Sequence, residues 1–148
     1  MTAAALTRAR PPCETVAVAK RGVSDGPRPG DGRKRLGMRG EDVAVGHLET
    51  LGYEILVRNW RSRIGELDVV ARDGDTLVFV EVKLRYDPID PLEAVDARKQ
   101  RKLSRLAFDF LSRHGMLGLP ARFDVIAVEG RTLACTHVLS AFDSTIEY

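Results

Sequence analysis

The sequence predicts a small α/β domain in which helices cover a mixed β-sheet. Apolar residues recur at helical spacing in two segments, near 39–52 and 98–114. Short runs rich in Val, Ile and Leu lie between and after them. The length, 148 residues, suits a single core.

The chain opens on a poor candidate for that core. Residues 1–35 hold eight basic and three acidic side chains, whereas the other 113 hold 15 basic and 18 acidic. The overall charge of +2 therefore combines a basic lead-in with a slightly acidic body. That excludes a uniformly basic nucleic-acid-binding surface but leaves room for a local basic patch. Residues 22–37 crowd Gly, Pro and charge, which predicts a segment outside the core, and 13–20 offer only a weak strand. The expected division is a flexible basic N-terminal extension at 1–35 and an α/β domain at 36–148. No apolar run approaches the roughly 20 residues that span a bilayer, and no hydrophobic leader opens the chain. A cytoplasmic protein without membrane contact is expected. Cys13 and Cys135 form no ligand motif and read as isolated thiols.

The first helix is predicted over RGEDVAVGHLETLG, with Ala44, Leu48 and Leu51 on one face and Gly52 as its terminator. Glu41 lies three positions before Ala44, beside this dry stripe. YEILVRNW, 53–60, reads as a strand, and GELDVVARDGDTLVFVEVKLR reads as a hairpin turning around Asp73, Gly74 and Asp75. The second helix buries Leu103, Leu106, Ala107, Phe110 and Leu111. RFDVIAVEG, 122–130, is another strand, with a last short one expected around 133–139.

The hairpin brings charges together. Glu66 and Asp68 share a face of one arm, and Glu81 and Lys83 share a face of the other. A turn at Gly74 and Asp75 opposes 68 to 81; a turn at Asp73 and Gly74 opposes 66 to 81. Clustered carboxylates repel unless they are protonated, hydrogen-bonded, paired or coordinated. Asp68 and Glu81 suit Mg²⁺ or Mn²⁺, with Glu41 or Glu66 adding a carboxylate. Such a site serves phosphodiester hydrolysis, in which the Lys83 ammonium stabilises developing charge. The competing reading is an ordinary Glu66 to Lys83 ion pair with the other charges at solvated edges. Trp60 reads as a packing anchor, and no histidine metal motif, P-loop or dinucleotide fingerprint is present.

The stretches GEDVAVGHLETLGYEILVRNWR, GELDVVARDGDTLVFVEVKLR, ARKQRKL and RFDVIAV, in this order, resemble the YraN-like family, also called UPF0102, within the PD-(D/E)xK nuclease-like superfamily. The resemblance implies a restriction-endonuclease-like core. Asp68, Glu81 and Lys83 match the superfamily's acidic, acidic and lysine positions, and Glu41 its helix-borne acid. Glu66 belongs to the GE-x-D segment. Gln100 resembles a glutamine that some members place near the catalytic face, although a helix-packing or capping role remains open.

The implied activity is divalent-metal-dependent cleavage of DNA, by an endonuclease or structure-selective nuclease, with RNA not excluded. Arg98, Lys99, Arg101, Lys102 and Arg105 form a candidate phosphate track, which Arg58, Arg61, Arg63 and Arg85 extend if the loops converge. The alternatives are a non-catalytic nucleic-acid-binding module or scaffold with the same core, and a structural adaptor. Homodimerisation is left open.

Overall fold

The hairpin fixes the register on which the site depends. The computed structural model describes residues 31–88 and 90–146. It pairs Asp73 with Thr76, leaving Gly74 and Asp75 as a two-residue turn. Gly74 takes φ +59°, which glycine adopts without a Cβ clash. This is the register that sets position 68 opposite 81.

The five strands are β1 (Glu54–Arg61), β2 (Glu66–Asp73), β3 (Thr76–Arg85), β4 (Ala121–Glu129) and β5 (Cys135–Phe142), arranged in sequence order. Neighbours are antiparallel except β3 and β4, which run parallel. A parallel pair needs a long crossover, and this one carries a 3-10 turn, Pro91–Ala94, and helix α2, Ala97–Arg113. Helix α1 spans Asp31–Thr50.

Each helix covers one face of the sheet. Along β3, Leu77 and Phe79 pack with Leu103, Leu106, Phe110 and Leu111 of α2, whereas Val78 and Val80 pack with Ala44, Val45 and Leu48 of α1. Strand alternation thus separates two apolar layers. The α1 face also buries a polar network. Asp124, fully buried, receives Arg122 Nε at 3.0 Å and the Ser140 amide at 2.9 Å, and lies 2.9 Å from His137 Nε2. Arg122 reaches Asp73 and the Tyr53 hydroxyl as well. His47 Nε2 and His137 Nδ1 are 3.2 Å apart. Asp124 stays below the usual carboxylate range because these hydrogen bonds outweigh the opposing effect of burial.

The first helix departs from the sequence expectation. It begins at Asp31, so residues 31–37 are helical although their composition predicted a lead-in. Among the residues whose burial is described, Gly40 is the first buried one, seated against Leu84, while Gly32 and residues 35–39 are exposed. Leu51 lies past the helix end and is exposed, and Val45 joins the stripe in its place. Gly52, at φ +85°, terminates the helix as expected, with the Tyr53 amide returning to the Leu48 carbonyl. The strand considered at 13–20 and most of the basic extension fall outside the described residues. Among those described, no helix is long and apolar enough to cross a membrane.

Candidate metal centre

The two inner strands separate at Asp68. The backbone ladder between β2 and β3 runs from Asp73 and Thr76 to Val69 and Val80. There the Asp68 Oδ2 accepts the Val82 amide at 2.9 Å, so a side chain takes up the donor. Strand alternation breaks at the same place. Leu67 belongs to the α2 layer and Val69 to the α1 layer, although positions two apart on a regular strand share a face. On β1, Asn59 lies between Arg58 and Trp60, which pair with Val69 and Leu67, and it takes φ +53°. Asparagine tolerates this left-handed conformation better than most residues.

The distortion gathers carboxylates from two elements. One oxygen each of Glu41 on α1, and of Glu66 and Asp68 on β2, lie within 4.8 Å of one another. Glu41 accepts a hydrogen bond from the Asn59 side chain, while its Oε2 is buried with no partner. Burial pushes Glu41 upward, and Glu66 adds to the shift. Asp68 is pushed up to about 7, first by burial and then by Glu81, with Glu41 contributing; the Val82 amide and Lys99 act against them. Three converging oxygen donors, from residues of which one also carries an orphaned buried oxygen, suit a hard divalent cation.

Glu81 has a different partnership from the one expected. It is 3% exposed, and its Oε1 receives Lys83 Nζ at 3.2 Å and Lys99 Nζ at 2.9 Å. The three-carboxylate group therefore holds Glu66, with Glu81 beside it facing two ammoniums. The Glu66 to Lys83 pair considered from the sequence does not form; Glu66 pairs with Arg61 at 2.9 Å. Gln100 donates to the Val95 carbonyl at 3.0 Å, which ties α2 to the preceding turn, and Asp96 caps the helix by accepting the Lys99 amide.

The candidate phosphate track splits. Arg58 pairs with Asp42. Arg61 ends β1 and Arg63 lies in the loop leading to Glu66, both exposed. Arg85 is exposed at the end of β3, where it lines a pocket of about 400 Å³ with Asp87, Asp90 and Glu129. On α2, Arg98, Arg101, Lys102 and Arg105 are exposed, while Lys99 is partly covered. Trp60 packs edge-on against Phe110 with ring centres 5.3 Å apart, as an anchor would. Sequence reasoning missed Asn59 and the Asp124 network. An asparagine before a tryptophan gives no sign of left-handed backbone, and the network joins residues up to 90 positions apart.

The fold and the site together define an α/β protein with a candidate acidic cation centre at a strand junction. Comparison with known sequences is consistent with this. The model of the uncharacterised protein family UPF0102 matches residues 40–128. A UPF0102 protein of Geobacter sulfurreducens is 56% identical over 99 residues, covering 64% of this chain and 76% of its own. One from Symbiobacterium thermophilum is 48% identical over 115 residues, covering 74% and 97%. One from Chloroflexus aurantiacus is 47% identical over 116 residues, covering 74% and 93%. The chain belongs to the UPF0102 family.

Proposed function

We propose that this protein is a divalent-metal-dependent nuclease with a restriction-endonuclease-like core, acting on DNA as an endonuclease or structure-selective nuclease. The observation that carries the reading is the convergence of Glu41, Glu66 and Asp68 at a strand break, with two lysines gathered at the adjacent Glu81.

Asp68, Glu41 and Glu66 would hold Mg²⁺ or Mn²⁺, with Glu81 the β3 carboxylate beside them. A cation there supplies Lewis-acid stabilisation of charge on a phosphodiester. The protein's own groups do the remaining work. The Asn59 side chain hydrogen-bonds the Glu41 carboxylate, whose Oε2 is buried without a partner. The Val82 amide fixes the Asp68 carboxylate. Glu81 keeps the Lys83 ammonium in place, where it opposes negative charge developing on a phosphoryl oxygen. Gln100 supports the site indirectly by anchoring the start of α2. The exposed basic residues of α2 attract backbone phosphates without base specificity.

Purified protein should cleave at least one of single-stranded, duplex, flap or branched DNA with Mg²⁺ or Mn²⁺, and chelator should stop it. Asp68→Ala should lower the rate at least a hundredfold while retaining most of the DNA affinity. A folded wild-type protein that binds DNA but cleaves nothing in the panel supports the second reading, a non-catalytic nucleic-acid-binding module, favoured by the exposed basic face of α2.

A further inference from the structure

The basic run of α2 divides into two stripes with different surroundings. At about 100° per residue, positions 99, 102, 103 and 106 share one side of the helix, and 98, 101 and 105 another. Leu103 and Leu106 are buried against the sheet, so Lys99 and Lys102 flank the packed side. Lys99 Nζ ends on Glu81 at 2.9 Å. Lys102 crosses the backbone that leads into Glu66. A Cβ built on Gly65 would lie 2.7 Å from Lys102 Cε and 3.1 Å from its Nζ. Gly65 takes φ +154°, which favours glycine there, and a side chain in its place would displace the end of Lys102.

The two lysines therefore stand against two strands of the site, Lys99 on Glu81 of β3 and Lys102 on Gly65, the residue before Glu66 of β2. Lys99 is tied to a carboxylate, whereas Lys102 has no ion pair among the described residues and packs over a residue with no side chain. We propose that Lys99 and Lys102 form a two-point phosphate clamp. Lys99 serves the phosphate at the cluster, and Lys102 serves the neighbouring phosphate of the same strand. The ligand class is then a polynucleotide strand with at least two consecutive backbone phosphates. Arg98, Arg101 and Arg105 point away and contribute only diffuse attraction. The clamp rests on the nuclease reading for its catalytic consequence and on geometry alone for its binding consequence.

The test compares hydrolysis of a single phosphodiester, bis(p-nitrophenyl) phosphate, with that of a single-stranded oligonucleotide in Mn²⁺. For Lys102→Ala, the preference for the oligonucleotide, taken as the ratio of kcat/KM values, should fall about tenfold through KM. Lys102→Arg should restore most of it. Lys99→Ala should depress both substrates together, through kcat more than KM. An unchanged preference in Lys102→Ala overturns the clamp. If wild-type protein hydrolyses neither substrate, the nuclease reading fails alone, and oligonucleotide binding in Ca²⁺ decides the clamp. Affinity loss of at least fivefold in Lys102→Ala supports it, and wild-type affinity overturns it.

Discussion

Asp68 is held in a state that costs stability in the absence of a cation. Its carboxyl titrates at about 7 rather than 3.8 because burial and Glu81 outweigh the Val82 amide. Between these values the folded state retains a proton that the unfolded chain has lost. Stability therefore falls as pH rises from about 4 to 7, by on the order of 4 kcal/mol at the full shift. Asp68→Asn removes the charge and keeps an acceptor for the Val82 amide. In chelator, urea unfolding should show this variant to be more stable than wild type at pH 8 and nearly equal to it at pH 4. Added Mn²⁺ should raise the midpoint of wild type and leave that of the variant unchanged. Equal stabilities at pH 8 would show that the carboxylate is not strained.

Helix α2 links packing to the site within one turn. Leu106, fully buried, extends its Cδ1 to 3.6 Å from the Cβ position of Gly65, beneath Lys102. Leu106→Ala should cost about 2–5 kcal/mol through the cavity it leaves. Chemical denaturation measures that cost, and a loss below 1 kcal/mol would mean that the layer closes over the gap. Much at this scale was legible in the sequence. The apolar face of α2 was read without error, because its five residues keep helical spacing, and the turn at Gly74 follows from glycine flanked by aspartates. Helix α1 was harder. Its first turns bury nothing among the described side chains, so no apolar periodicity marks them. The site was legible as a list of carboxylates but not as a geometry. Regular alternation placed Glu66, Asp68, Glu81 and Lys83 on one face, and the break at Asp68 instead sets Glu66 with Glu41 and leaves Glu81 to two lysines.

Across the molecule, the response to acid combines opposed contributions from the two faces. On the α1 face, burial and then His137 hold His47 below its ordinary value of 6.5. The unfolded chain therefore takes up that proton first, and the His47 contribution to stability is lost as pH falls below 6.5. Asp68 acts with the opposite sign over an overlapping range, so the wild-type profile between pH 5 and 6.5 should be flatter than either group alone would produce. His47→Gln should expose the Asp68 slope, with stability increasing from pH 7 down to 5 in thermal melts. A variant that still loses stability over that range would place the acid sensitivity elsewhere. The carboxylate cluster also has a mechanical consequence. Glu41 comes from the helix layer and Glu66 and Asp68 from the sheet, so a cation among them is a strut between layers otherwise joined by apolar contact and a few polar links such as Asp42 to Arg58. Tearing α1 from the sheet would then require ligand bonds to break before the barrier is crossed. Occupancy should slow unfolding more than it speeds folding, so that the bound ion governs how long a molecule survives.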